Sequence, residues 1–257
     1  MHVASVAFGF LIGLSLGLLG GGGSILTVPI FVYVLGFGAK ESIAMSLAVV
    51  GATSLVGAAG HWRHGHVRIR IALVFGVVAM FGTYIGTRLA ARLTGAEQLA
   101  IFGVIMVVAA SVMLRGRPTN VGYNPGGGSP GPSSSLPAAF TAAQGFVVGL
   151  LTGLVGIGGG FLIVPTLIWG GLAMREAVGT SLVAIAMNCA VGFYGYMGDV
   201  QIAWIPMALV TAGTIPGIAT GTYAIPFLSQ DALRRGFAVL LFALAAYMLY
   251  RNLSTVL

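Results

Sequence analysis

The sequence predicts an all-α, polytopic membrane protein made of two homologous halves. Three observations carry this. The first is composition: 58% of residues are hydrophobic and 7% charged, against about 25% charged in soluble domains. The second is run length: apolar stretches reach the ~20 residues needed to cross a hydrocarbon core about 30 Å thick. The third is a repeat: GLLGGGGSILTVPI at residues 17–30 recurs as GLVGIGGGFLIVPT at residues 153–166. A transmembrane barrel is disfavoured, because its strands would alternate in hydropathy over ~10 residues and these runs are continuous.

Residues 1–114 form the first predicted repeat, 115–137 a linker and 138–257 the second repeat. The first repeat holds an interrupted apolar run, 3–35, then runs at 42–60, 71–93 and 98–114. The N-terminal run has the length of a signal peptide but no basic flank, and its counterpart is internal, so it reads as mature structure. The stretch RGRPTNVGYNPGGGSPGPSSSLP has the Pro, Gly and Ser content of a flexible linker. The second repeat holds an interrupted run, 138–172, then runs at 177–197, 202–228 and 232–250. Further matches keep their order: Lys40-Glu41 with Arg175-Glu176, Ser46 with Ser181, Thr53 with Asn188, Gly57 with Gly192, and Gly82/Gly86 with Gly217/Gly221.

Each interrupted run is either one broken span, giving parallel repeats, or a hairpin returning to its own side, giving inverted repeats. Charge separates the two. Parallel repeats divide the twelve Lys and Arg residues six to six. Inverted repeats put Arg63, Arg68, Arg70, Arg115, Arg117, Arg175, Arg234 and Arg235 on one side, opposed only by Lys40, Arg88, Arg92 and Arg251. The positive-inside rule favours the unequal count, with the linker cytoplasmic and both termini outside. The bacterial inner membrane is the expected location.

The glycine runs are the main functional signal. Each Gly inside a helix costs ~1 kcal/mol relative to Ala, and the same costly break occurs twice. A helix that begins after such a break exposes backbone N–H groups and the positive end of its dipole. Glycine also lets a ligand approach without a Cβ in the way. Gly21, Gly22 and Gly23 with Ser24, and Gly158, Gly159 and Gly160, are therefore candidate anion-binding positions. Neither motif contains Lys or Arg, which suits a small oxyanion held weakly enough to leave. Gly82/Gly86 and Gly217/Gly221 instead have the spacing of close helix packing.

Ser46 and Thr53, like Ser181 and Asn188, are seven residues apart and share a helical face. They are candidates to line the cavity, although Ser and Thr also bond their own helix backbone. Asn188 stands out because an unpaired amide is costly in lipid. Glu41 and Glu176 could carry a coupled proton, but acids at helix starts ordinarily complement the dipole. His61, His64 and His66 lack a standard metal-ligand spacing, so no metal and no cofactor is expected. Nothing indicates nucleic-acid binding, and no nucleophile–base pair or complete P-loop indicates an enzyme. A single cysteine, Cys189, leaves the redox compartment unread.

The paired motifs, with KES-x3-S and RE-x3-TS after them, resemble those of the TauE/SafE family of sulfite exporters, over nearly the whole chain outside the linker. The resemblance implies a secondary transporter, exporting sulfite, an organosulfonate or a related sulfur anion. One departure is that Ser24 falls where the second copy has Gly160-Phe161, so the two half-sites differ. The expected partners are a small anionic substrate and the lipid bilayer, and a homo-oligomer is compatible with the sequence. A passive anion channel and a non-transporting membrane scaffold or accessory protein are the alternatives.

Overall fold

A computed structural model describes residues 2–63, 65–115, 138–156, 158–169, 172, 174–224 and 230–256. All secondary structure among them is helical. The predicted linker, from residue 116 to 137, lies outside the described residues.

The first half contains α1 (His2–Leu19), a tight 3₁₀ turn (Gly20–Leu26), the short α2 (Thr27–Pro29) and a π-wound turn (Ile30–Val34). It continues with α3 (Ala39–Arg63), α4 (Ile69–Ala90) and α5 (Gly95–Arg115). The second half contains α6 (Ala138–Val155), α7 (Gly160–Trp169), α8 (Met174–Tyr196), α9 (Trp204–Ala224) and α10 (Gln230–Val256). The segments Ala39–Arg63, Ile69–Ala90, Glu176–Tyr196 and Trp204–Tyr223 are long and apolar enough to cross a membrane. Thr94 starts α5 with a capping box: its N–H and hydroxyl donate to the Glu97 carboxylate at 2.7 and 2.8 Å, and the Glu97 N–H returns to the Thr94 hydroxyl at 3.3 Å.

Glycine determines which helices meet. A Cβ on Gly9, Gly13 or Gly17 of α1 would strike the carbonyls of Val210, Thr214 and Ile218 on α9. Gly213, Gly217 and Gly221 of α9 lie equally close to the carbonyls of Val6, Phe10 and Leu14. The spacing of four on both sides brings the two backbones into contact, the small-xxx-small arrangement of membrane helices. Gly145, Gly149 and Gly153 of α6 meet Phe75, Ala79 and Thr83 of α4 in the same way, with Gly82 and Gly86 reciprocating. The packing role read from Gly82/Gly86 and Gly217/Gly221 is the observed one. Their partners are the first helices of the opposite halves.

Residue numbers rise together along both pairs, so α1 runs parallel to α9 and α6 parallel to α4. Thr53 beside Thr214 and Gly57 beside Ile218 make α3 parallel to α9. Gly76 against Met187 and Gly195 against Thr87 make α4 parallel to α8. Between α3 and α8 the order reverses, with Gly57 on Leu182, Gly51 on Cys189 and Gly192 on Leu47. Hence α1 and α3 run the same way, and the chain turns back between them. The same holds for α6 and α8.

Helices α3 and α8 occupy the centre, with 61% of each apolar window buried, compared with 39% and 33% for α4 and α9. Leu55, Phe81, Ile205 and Val239 point outward, as suits a hydrocarbon surrounding.

Candidate functional site

The turn Gly20–Leu26 packs against both α7 and α8, so the two glycine motifs meet at the centre of the bundle. They are wound differently. The first motif continues from α1 as a 3₁₀ turn, and no described residue in it has a positive φ. Gly23 folds onto α1 itself, where a Cβ would lie 2.7 Å from the Leu16 Cα. The expected helix start at Ser24 is therefore absent: the chain passes from 3₁₀ to α to π winding without an abrupt beginning. Gly21, Gly22 and the fully buried Ser24 lie within the 3₁₀ turn, and Thr27, also fully buried, follows it directly.

The second motif is a true break. Gly156, Gly158 and Gly159 have φ of +74°, +70° and +71°, the left-handed region that only glycine enters cheaply. Gly158 wedges between α3 and α8, its missing Cβ 2.8 Å from Val50 Cγ1 and 3.3 Å from Cys189 Sγ. α7 then starts at Gly160, with the Gly159 carbonyl accepting from the N–H groups of Leu162 and Ile163 at 3.0 and 3.1 Å.

The carbonyl side of this break is closed by side chains from other helices. Tyr196 of α8 donates its hydroxyl to the Gly153 carbonyl at 2.9 Å. Buried Gln98 of α5 donates its amide to the Tyr196 oxygen and to the Ala90 carbonyl, both at 3.2 Å. Ser46 lies 2.7 Å from the Ile43 carbonyl and 2.9 Å from that of Gly156, sharing its hydroxyl between them. With the α6 carbonyls so occupied, the N–H groups at the start of α7 are the polar groups that a helix terminus leaves for a ligand.

The hydroxyls predicted to line the cavity are largely engaged. Thr53 lies 2.7 Å from the Val49 carbonyl and 2.6 Å from the Thr214 hydroxyl, and Ser181 donates to the Val178 carbonyl at 2.8 Å. Asn188 differs. It has no exposed surface, and neither its Oδ1 nor its Nδ2 has a hydrogen-bond partner among the described residues. Its neighbour Cys189 touches both Gly51 and Gly158, which places the unpaired amide at the level of the second break. The hydroxyls of Ser54 and Thr27 are also buried without a partner among the described residues.

Glu41 and Glu176 are not part of this centre. They begin α3 and α8, which run in opposite directions, so they sit at opposite ends of the bundle. Glu41 accepts the Gly38 N–H at 3.3 Å, and Glu176 pairs with Arg68 at 2.7 Å. That carboxylate raises the Arg68 pKa through the hydrogen bond and its charge. The rings of His61 and His66 lie 6.0 Å apart, while His64 lies outside the described residues. Gln98, Tyr196 and Thr27 were not singled out as site residues from sequence. A lone Gln at the head of an apolar run was the available sign.

The sequence profile of the sulfite exporter TauE/SafE family matches residues 5–248. The chain belongs to the TauE/SafE family. A probable membrane transporter protein of Xylella fastidiosa strain 9a5c is 32% identical, over 97% of this chain and 95% of that one. The probable membrane transporter protein YdhB of Bacillus subtilis is 25% identical over 82% of this chain and 85% of its own. A third, MJ0441 of Methanocaldococcus jannaschii, is 24% identical over 80% and 79%. No solved structure matches the chain. This TauE/SafE protein is thus a multi-pass integral membrane protein of a transporter family.

Proposed function

We propose that this TauE/SafE protein is a secondary transporter that exports a small sulfur-containing oxyanion, such as sulfite or an organosulfonate. It works by alternating access between two inverted repeats. The single observation that carries the site is Asn188, a fully enclosed amide whose two polar atoms have no partner among the described residues, next in sequence to Cys189, which packs on Gly158 of the second glycine break. Leaving such a group unsatisfied costs about 1–3 kcal/mol, and an anion accepting from Nδ2 removes part of that cost. The N–H groups of Gly158, Gly159 and Gly160 supply further donors, with the positive end of the α7 dipole behind them. Ser24, Gly21, Gly22 and Gly23 supply the facing wall, and Ser46, Thr53 and Ser181 hold the surrounding backbone. With no cation in either motif, binding stays weak enough for release.

The inverted reading is supported by the helix directions, since α3 opposes α8 and α1 opposes α6. It places eight basic residues on the linker side and four on the side of the termini, the cytoplasmic and outer faces respectively.

Flux into proteoliposomes tests the proposal, with sulfite and sulfoacetate compared against chloride. Saturable flux of a sulfur anion, lost in Asn188→Leu, is expected; equal or absent flux for all three ions rejects it. Cysteines at Lys40 and at Ser129 should label from opposite sides of the membrane.

A further inference from the structure

The two ends of the bundle differ although the repeats match. At one end Arg68, in the loop between α3 and α4, pairs with Glu176 at the start of α8 at 2.7 Å. The Arg68 N–H also donates to the Thr180 hydroxyl at 3.0 Å, and a Cβ on Gly179 would lie 2.6 Å from the His66 carbonyl. Loop and helix are locked together there. At the other end the corresponding elements are the loop after α8 and the start of α3. They part around a groove of about 380 Å³, lined by Lys40, Glu41, Gly95, Asp199 and Gln201. Lys40 and Asp199 face this same groove with no ion pair between them, and Glu41 turns back to cap its own helix. The charges are transposed relative to the locked end: there the base is on the loop and the acid on the helix, here the acid is on the loop and the base on the helix.

We propose that Lys40 and Asp199 are the closing pair of the open end, forming an ion pair when the Arg68–Glu176 pair at the other end is released. The inference rests on the alternating-access reading and deepens it. One pair holds each face shut, and the two are mutually exclusive because alternating access opens only one face at a time. Each pair stabilises one state, so removing it shifts the population toward the other. For pairs at an exposed surface the shift is about two- to fivefold.

Crosslinking reads the shift without any substrate. In detergent-purified full-length protein, Lys40→Cys and Asp199→Cys are joined by a short bifunctional thiol reagent, while buried Cys189 serves as the unreactive internal control. Replacing Glu176 by Gln in this background should raise the crosslinking rate about two- to fivefold; an unchanged or lower rate overturns the pairing. In sulfite-loaded proteoliposomes, Lys40→Asp and Asp199→Lys should each slow flux, and the double exchange should restore it. A double variant no faster than the singles also overturns the pairing. Failure of wild-type flux, by contrast, counts against the transport reading alone, since the crosslinking arm needs no substrate.

Discussion

The Tyr196 hydroxyl donates to the Gly153 carbonyl at 2.9 Å, joining α8 to the last turn of α6 immediately before the chain breaks. Tyr196→Phe removes the only atom involved and leaves the ring packed. It strands a buried carbonyl, at a cost of about 1–3 kcal/mol. A lower melting temperature in detergent is expected, and Gln98→Leu should show the same direction, since Gln98 donates to that hydroxyl. The double variant should lose less than the sum of the two, because both act on one network.

Gly158 and Gly60 should respond in opposite ways to alanine. Gly158 combines φ of +70° with a Cβ position 2.8 Å from Val50, so Gly158→Ala should abolish flux and lower stability. A Cβ on Gly60 of α3 meets nothing within 4 Å among the described residues, and alanine there should stabilise by up to about 1 kcal/mol through helix propensity. Thermal melting of both variants checks the contrast.

Asn188 separates binding from stability. In Asn188→Leu a buried, unpartnered amide becomes an apolar group of similar size. Stability should hold or rise while substrate binding is lost. A structural asparagine would show the reverse, a drop in melting temperature with flux intact.

The capping box of α5 gives a pH dependence. The backbone N–H and hydroxyl of Thr94 lower the Glu97 pKa, so the folded value lies below the unfolded one. Its stabilising contribution is complete above the unfolded carboxylate pKa and is lost as pH falls through the lower folded value. Melting temperatures of wild type and Glu97→Gln should therefore differ near neutral pH and converge in acid.

Four apolar spans and the packing role of Gly82/Gly86 were legible because each rests on a local pattern, run length or a spacing of four. The partner of that stripe was not. α4 packs on α6 and α1 on α9, across the linker, and nothing local distinguishes these pairings from neighbours within one half. Nor could the glycines reveal that one break stays wound while the other turns left-handed, because glycine accepts either sign of φ. Asn188 stood out in the sequence through the cost of its amide, and its burial without a partner among the described residues became visible only in the structure. The engagement of Ser46 depended on Gly156, far away in sequence, meeting it in space.

The cross-pairing of α1 with α9 has a consequence for biogenesis. Among the described helices α1 leaves the ribosome before the rest, carrying the glycine ridge of Gly9, Gly13 and Gly17, and its match on α9 follows only after α3 to α8 have been made. Until then the ridge faces lipid or an insertase. The α6 ridge, by contrast, finds α4 already in place. Assembly should therefore proceed from α4 and α6 outward and finish with α1, and a nascent chain arrested before α9 should be recognised as unfinished by membrane quality control.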